Sequence, residues 1–144
     1  MTAGITTLDP ETCWRLLADE EVGRLAVSVD RFPDIFPLNF AVVDESIVFR
    51  TAEGTKLASI VVGPAVAFEV DGFDAEAGEA WSVVVKGTAA EVDVFDVLDD
   101  SAFPVFPWSA TPKARFVRIT PTSIDGRQFK VIGRRPRPAS PGDQ

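Results

Sequence analysis

Residues 46–62 read SIVFRTAEGTKLASIVV, and this stretch predicts a strand, a tight turn and a short helix in direct succession. The apolar residues at 47–49 are strand formers. Gly54 allows a backbone conformation that most residues avoid, and Thr55 is a good N-cap. We therefore expect a strand that ends at the N-terminus of a helix.

Two cationic side chains flank this turn. Arg50 ends the predicted strand, and Lys56 occupies the first helical position. Exposed N–H groups, the positive end of a helix dipole and two cations in one place suit a phosphate group. We therefore predict a phosphate-binding site here. A Gly-Thr-Lys sequence after a strand is also typical of an ordinary turn with a solvated lysine, and the residues alone leave both interpretations open.

The length of 144 residues fits one domain, which we expect to span residues 1–132, followed by a flexible Pro/Arg-rich tail over 133–144. No apolar run approaches the length of a membrane span, and no signal-peptide pattern is present. Cys13 is the one cysteine, so an internal disulfide is excluded. These features predict a cytoplasmic protein without a membrane partner.

The charge is distributed unevenly. The net charge is −8, but five of the 14 Lys and Arg residues and one of the 22 acidic residues lie after position 126. The body of the chain is therefore acidic. This argues against nucleic acid as a partner, because neutralisation of phosphates dominates nucleic-acid affinity.

Histidine and tyrosine are both absent from the chain. This removes the usual general base, the commonest metal ligand and the usual proximal haem ligand. A Cys–His dyad, a Ser–His–Asp triad and a zinc site of the familiar kind are excluded. We predict no metal site.

Periodicity predicts mostly antiparallel β structure with short helices. A helix begins at Asp9 as N-cap, with Pro10 at the first position, and ends near Glu20. Cys13 is expected in the core. Strands are predicted over 24–29, 35–43, 46–51, 65–70, 81–92, 113–119 and 123–131, with turns at 30–33 and 44–45, an acidic loop at 71–80 and a short helix or turn at 94–101.

Three local features refine this pattern. Pro37 places its strand at an edge or a bulge, because proline cannot donate to the ladder. Gly87 indicates a bulge or a corner. The aromatic segment at 103–108 either caps the core or docks on another subunit. The fold class predicted is a split β-barrel of about six antiparallel strands, Greek-key-like, with two or three short helices.

The order of these segments resembles the pyridoxamine 5′-phosphate oxidase-like family of flavin-binding split β-barrel proteins. The resemblance covers roughly residues 8–130. It rests on the helix followed by RLAVSV, FPLNF, SIVFRTAEGTKL, AVAFEVD, WSVVVKGTA and RFVRITP. The most specific pieces are FRTAEGTK and EAWSVVVKG.

The resemblance implies a homodimer with FMN in each of two clefts at the subunit interface. It implies that the flavin phosphate is bound by Arg50, Thr51, Gly54, Thr55 and Lys56. It implies that the isoalloxazine ring lies along Pro37, Leu38 and Asn39. Further contacts with the cofactor are implied for Trp81 and Ser82, and for Trp108 and Arg118, which the second subunit would supply.

The chain departs from well-known branches of this family. A true pyridoxamine phosphate oxidase has a longer chain and a C-terminal substrate clamp that contains histidine, so that activity is not expected. Nitroimidazole-resistance proteins place a histidine near the position of Arg50. We expect a small FMN-dependent oxidoreductase that acts on a small molecule without a catalytic histidine.

Three alternatives stay open. The same cleft suits F420, a deazaflavin, whose anionic tail would meet the C-terminal arginines. The protein is otherwise a flavin-binding or sensing module without turnover, or a β-barrel interaction protein with an empty cleft.

Overall fold

The structure, a computed structural model, describes residues 4–52, 63–92 and 114–131. Within these ranges it has one helix and seven strands: β1 Ile5–Leu8, α1 Pro10–Ala18, β2 Val22–Val29, β3 Phe32–Val42, β4 Ile47–Ala52, β5 Gly63–Asp74, β6 Glu79–Val92 and β7 Ala114–Lys130. The helices predicted after Thr55 and over 94–101, the aromatic segment at 103–108 and the tail at 133–144 lie outside the described residues.

Antiparallel pairing closes six strands into a ring with the order β2-β3-β4-β7-β6-β5, in which β5 pairs back to β2. The long strand β7 pairs with β6 along one side. Its other side pairs first with β4 and then with β1. Closure gives most of the strands two neighbours and so limits the exposed edge. The predicted mostly-β split barrel is confirmed.

Two hairpins use the same turn geometry. Asp30 and Arg31 connect β2 to β3 with φ values of 50° and 71°, and Asp44 and Glu45 connect β3 to β4 with 48° and 54°. Two consecutive residues with positive φ define the type I′ turn, whose twist matches that of the flanking strands. The sequence predicts a turn at both places, although the first is shorter than the predicted 30–33 because β3 already begins at Phe32. The two turns fix the register of β3 against its two neighbours.

The ring is split between β3 and β4. These strands pair only over Phe40–Val42 and Ile47–Phe49. Before Phe40, β3 pairs with β2 alone among the described strands, and after Phe49, β4 pairs with β7 alone. Pro37 therefore lies on an edge, as predicted, where a residue without an N–H is tolerated.

The helix covers part of this sheet through an interface with β7. Asp9 caps it, since the Thr12 N–H donates to Asp9 Oδ1 at 2.7 Å. Cys13 and Leu17 are fully buried, which confirms that Cys13 belongs to the core. A side chain at Gly126 would overlap Cys13 Sγ, so glycine at this point of β7 allows the close approach of the helix.

Two buried apolar clusters occupy opposite faces of the sheet. The larger fills the ring and includes Phe40 and Phe68, whose rings meet edge-to-face with centroids 4.8 Å apart. Successive strand residues point to opposite faces. The smaller cluster therefore lies on the outer face, and its buried members are Ala41, Val43, Val48 and Phe116.

Two predicted boundaries are wrong around the acidic loop. Strand β5 continues to Asp74 and β6 begins at Glu79, so the loop occupies only 75–78. Pairing of the two strands carries the ladder through residues whose composition suggests a loop. Strand β5 also begins two residues before the predicted start at 65, with Gly63 and Pro64, and a register shift follows between Gly63 and Val66.

The C-terminal strands differ from the prediction in a similar way. The segments 113–119 and 123–131 form one strand, β7, without interruption at Pro121. Over 120–125, β7 pairs with β6 alone among the described strands, and proline is tolerated in such one-sided pairing. Strand β1 is not predicted by the sequence, because ITTL is short and mostly exposed.

Gly87 allows a test of the close approach of β6 and β7 within the ring of strands. The β6–β7 register shifts between Lys86 and Gly87, which confirms the predicted bulge, and a Cβ at Gly87 would overlap the carbonyl oxygen of Thr120. We expect Gly87→Ala to lower the free energy of unfolding by about 1–3 kcal/mol, because backbone must move to admit the methyl group. Urea denaturation measures the change.

Thr88→Ala is the matched control, since Thr88 is the next residue of the strand and is exposed. Its loss of β propensity is expected to cost less than about 1 kcal/mol. Equal losses in the two variants would contradict the close approach of β7 to Gly87.

Candidate functional site

The split between β3 and β4 brings predicted site residues to one place. The last pair before the split is Phe40 opposite Phe49, and the next residues on the two strands are Asn39 and Arg50. Asn39 and Pro37 share the outer face of β3, where both are exposed. Pro37 and Asn39, predicted to lie along the isoalloxazine ring, and Arg50, predicted to bind the phosphate, thus lie at the edges of the split.

A second arginine lies beside Arg50. In the β4–β7 pair, Arg50 is opposite Phe116 and Val48 is opposite Arg118. Arg50 and Arg118 are therefore diagonal neighbours on the outer face, a relation that places Cβ atoms about 7–8 Å apart. Both residues are half-buried. Two cations at this separation favour the binding of an anion between them.

Arg118 carries an unsatisfied donor. Its Nε is buried and has no hydrogen-bond partner in the described structure. A buried N–H without an acceptor costs roughly 1–3 kcal/mol, so an acceptor at this point is strongly favoured. Carboxylate and phosphate oxygens are the acceptors that a guanidinium binds best.

The other residues predicted near the split are placed as follows. Leu38 alternates with Asn39, is half-buried and packs against the interior cluster, away from the outer face. The backbone of Thr51 pairs with Arg115 of β7. Three further predicted phosphate contacts and one aromatic contact lie outside the described residues: Gly54, Thr55, Lys56 and Trp108.

Trp81 and Ser82 lie far from Arg50 within the chain. Ser82 is opposite Arg127 on β7, whereas Arg50 is opposite Phe116. These β7 positions are eleven residues apart, which is at most about 36 Å at 3.3 Å per residue, because the strand is bulged and curved between them. Trp81 packs against the interior cluster, and its indole fills the space beside Gly72. The structure does not bring Trp81 and Ser82 to the split.

An ion network that the sequence does not predict lies on the outer face beside Pro37. Arg24, directly opposite Pro37, donates from Nη1 to Glu69 Oε1 at 3.1 Å and to Asp71 Oδ2 at 3.3 Å. Burial, followed by the neighbouring Asp71, raises the pKa of Glu69, and Arg24 opposes the change. The three residues meet only through the β2–β5 pairing, so no local pattern reveals them.

The described residues offer few other reactive groups. Burial, reinforced by Asp9 and Asp125, raises the pKa of the Cys13 thiol, which makes it a poor nucleophile. Among these residues no cluster of three or more Cys, Asp or Glu side chains is arranged to hold a metal ion. Within the same ranges, no helix is both long and apolar enough to cross a membrane.

The fold is a split β-barrel, and two half-buried arginines lie beside its split on the outer face. The model of the family described as pyridoxamine 5′-phosphate oxidase matches residues 9–128. The chain belongs to this family. The resemblance found in the sequence is thereby confirmed.

Three relatives illustrate the family. An uncharacterized protein of Mycobacterium tuberculosis is 31% identical over 137 residues, which cover 92% of this chain and 90% of the relative. The FAD binding protein from Mycobacterium smegmatis matches with a TM-score of 0.78 and 42% identity, covering 87% of this chain and 98% of that one. An FAD-binding protein from Mesorhizobium loti matches with a TM-score of 0.74 and 26% identity, covering 88% and 99%.

The ion network predicts a pH dependence of stability. The pKa of Glu69 is raised in the folded state. As the pH rises above about 4.5, the unfolded chain therefore loses the Glu69 proton before the folded protein does. The stability contributed by Glu69 is therefore complete below pH 4.5 and declines as the pH rises through the folded pKa. We expect Glu69→Gln, which stays neutral, to gain stability relative to wild type between pH 4 and pH 7.

The gain is expected to stay below about 1 kcal/mol, because the carboxylate is partly exposed and screened. Urea denaturation at several pH values measures it, with Glu76→Gln in the exposed 75–78 loop as control. A difference between Glu69→Gln and wild type that is constant with pH, or that falls as the pH rises, would contradict the raised pKa.

Proposed function

We propose that the protein binds a flavin nucleotide at the split between β3 and β4, with phosphate oxygens on Arg50 and Arg118. The observation that carries this proposal is the diagonal pair of half-buried arginines, one of which has a buried Nε without a hydrogen-bond partner in the described structure. A phosphate has enough acceptor oxygens to bind two planar guanidinium groups at once, through paired hydrogen bonds.

The groups around the arginine pair fit the rest of a flavin. Before Phe40, the backbone of β3 has no partner on the β4 side among the described strands, so N–H and C=O groups along this edge are available to ring heteroatoms. Asn39 adds an amide that donates and accepts hydrogen bonds. Pro37 supplies an apolar surface. Gly54, Thr55 and Lys56 are proposed to complete the phosphate site.

The relatives favour a flavin over other anions. Two FAD-binding proteins, 42% and 26% identical to this chain, cover nearly the whole fold. FMN is the form predicted from the sequence, and both forms carry a phosphate next to the ribityl chain. Because both of these relatives are described as FAD-binding, FAD is the first form to test here.

We further propose that the bound flavin makes the protein an oxidoreductase for a small molecule. A bound flavin supplies hydride or electron transfer, and the protein supplies position and electrostatics. Arg50 and Arg118 would anchor the phosphate end, and β3 would orient the ring along its edge. The chain contains no histidine or tyrosine, so a proton required by the substrate comes from water or from another side chain.

The distance along β7 supports a homodimer. Ser82 and Arg50 are too far apart within one chain to meet the same ring and phosphate. Ser82 and Arg50 can contact the same flavin only if they come from two different copies of the chain. We therefore propose a dimer in which Trp81 and Ser82 of one copy face the split of the other, and Trp108 is proposed to join them.

Flavin binding is tested by titrating apo protein with FAD, FMN and F420 and following fluorescence. We expect a flavin nucleotide to bind, and Arg50→Ala and Arg118→Ala each to weaken binding roughly 10- to 100-fold, because each removes charge-assisted hydrogen bonds worth about 1.5–3 kcal/mol. Arg118→Lys keeps the positive charge but loses the planar guanidinium with its paired N–H donors, so this variant is expected to bind flavin with intermediate affinity.

Arg15→Ala is the control, because Arg15 is an exposed arginine on α1. Its affinity for flavin is expected to stay within twofold of wild type. Unchanged binding in a folded Arg50→Ala/Arg118→Ala protein would contradict the phosphate site. Binding of F420 in preference to both flavins would replace the flavin by the deazaflavin. Absence of redox exchange between bound flavin and nicotinamide or small acceptors would indicate a sensing module instead of an enzyme.

A further inference from the structure

The ion network on the outer face beside Pro37 combines one positive group with two negative groups. Arg24 of β2 donates to Glu69 at 3.1 Å and to Asp71 at 3.3 Å, and both carboxylates belong to β5. One guanidinium balances one carboxylate, so the network carries one excess negative charge when both carboxylates are ionised. Two carboxylates that share a site lose their protons in separate steps, because the first charge opposes the second. The network is therefore suited to hold one proton and to release it.

Burial favours Glu69 as the residue that holds this proton. The Glu69 side chain is 34% exposed, compared with 48% for Asp71 and 54% for Arg24. Burial and then the neighbouring Asp71 raise the pKa of Glu69, whereas Arg24 lowers it. A raised pKa keeps a carboxyl group protonated at a pH at which an exposed carboxyl has lost its proton. The remaining exposure allows water to return a proton that Glu69 has released.

A third neighbouring strand adds one more charge near Glu69. On β6, Val84 is directly opposite Glu69, and Lys86 is a diagonal neighbour on the same outer face. The charged groups that face Glu69 from β2, β5 and β6 in the described part of the chain are thus Arg24, Asp71 and Lys86. The two cations stabilise the carboxylate that remains after the proton has left, so Glu69 can release its proton as well as hold it.

The strand register places this network next to the proposed flavin site. Arg24 is opposite Pro37 on one side and opposite Glu69 on the other, so the three residues form one row across β3, β2 and β5. Glu69 is two strands away from Pro37, or roughly 10 Å at the usual spacing between strands. Residues opposite each other share a face, and Pro37 is exposed on the outer face. A small molecule on the outer side of a flavin ring at Pro37 would lie between that ring and the Glu69 carboxyl group.

The proposed reaction needs a proton donor. A substrate that accepts a hydride from reduced flavin gains a negative charge, and a proton at a neighbouring atom neutralises that charge. The chain contains no histidine or tyrosine, and its one cysteine, Cys13, is buried in the core. A carboxyl group whose pKa is raised by its surroundings acts as an acid in such a site. Glu69 has these properties and lies on the required face.

We propose that Glu69 is the general acid of the flavin-dependent reaction and that Arg24 and Asp71 position it; this inference rests on the proposed function. The substrate accepts a hydride from reduced flavin at one atom and a proton from Glu69 Oε at a neighbouring atom, so that it gains two electrons and two hydrogen atoms. Glu69 is left as a carboxylate beside Arg24, and water returns its proton. A hydride donor of the reduced nicotinamide class restores reduced flavin. The substrate class is therefore a small acceptor of a hydride and a proton, such as a quinone.

The first experiment tests the position of Glu69 without turnover. The glutamate side chains of the full chain are labelled with ¹³C, and the Glu69 carboxyl resonance is identified by its absence in Glu69→Gln. Its midpoint of titration is expected above 4.5 in the apo protein. Addition of FAD or FMN, whichever binds more tightly, is expected to shift the Glu69 resonance but not that of Glu76 in the 75–78 loop. A Glu69 resonance that does not respond to bound flavin would overturn the proposal.

The second experiment compares two electron acceptors. The flavin-loaded protein is reduced with one equivalent of dithionite and mixed with menadione, which takes up two electrons and two protons, or with ferricyanide, which takes up one electron and no proton. The absorbance of the flavin gives the rate of reoxidation. We expect Glu69→Gln to lower the ratio of the menadione rate to the ferricyanide rate at least about tenfold, through the loss of general acid catalysis. Glu76→Gln is the matched control, and its ratio is expected within about twofold of wild type.

The pH profile of the menadione rate separates an acid from a structural role. Protonated Glu69 is the active form, so the wild-type rate is expected to fall as the pH rises through the pKa of Glu69, and Glu69→Gln is expected to lack this fall. Asp71→Asn removes a negative neighbour and is expected to move the fall to lower pH. Arg24→Gln removes a positive neighbour and is expected to move it to higher pH. Identical profiles in wild type and both neighbour variants would contradict the role of Glu69.

Failure of this inference and failure of the proposed function give different results. If flavin binds and passes electrons to ferricyanide, but wild type and Glu69→Gln have equal rate ratios, the general acid is overturned and the flavin site stands. If the folded protein binds neither FAD nor FMN, both proposals fail. Glu69→Asp keeps the acid on a shorter side chain and is expected to recover part of the ratio lost in Glu69→Gln. Equal ratios in Glu69→Asp and Glu69→Gln would indicate that the size of the side chain, and not its proton, matters, which would overturn the proposal.

Discussion

The pairing of β7 with β6 on one side and with β4 on the other is the constraint on which the rest of this structure depends. It closes the ring, buries Val117 and Ile119 in the interior and leaves Arg118 between them on the outer face. Side chains alternate between faces with a period of two, so a slip of one residue would turn Arg118 inward and its apolar neighbours outward. The burial of the apolar residues therefore fixes the position of the arginine.

The early end of the β3–β4 pairing is what makes this barrel a split one. If β3 and β4 paired along their whole length, Asn39 would lie opposite Arg50. The pairing would then reach Pro37, which cannot donate a hydrogen bond to the ladder. Beyond this point β3 pairs with β2 alone and β4 with β7 alone among the described strands, and nearby the buried Arg118 Nε has no hydrogen-bond partner in the described structure. Such departures from complete pairing are costly, and they concentrate at sites where a ligand supplies the missing contacts.

Electrostatics distinguishes the arginines of the outer face. The arginine pair at the split, Arg50 and Arg118, stands out in a chain of net charge −8. On the same face, Arg24 is bound by Glu69 and Asp71, so its charge is locally neutralised. Arg24 is therefore a cation that contributes to structure, through carboxylates that β5 places beside it.

By itself, the sequence determined the class of fold, the capped helix, the two hairpin turns, the bulge at Gly87 and the edge position of Pro37. Each of these depends on residues that are neighbours along the chain, where capping, turn geometry and alternation act directly. The tertiary structure alone decided the length of β7, the strand β1, the network around Arg24 and the diagonal relation of Arg50 to Arg118. These features depend on pairing between segments distant in sequence, and the register of that pairing is set by burial of the whole core, which no local pattern encodes.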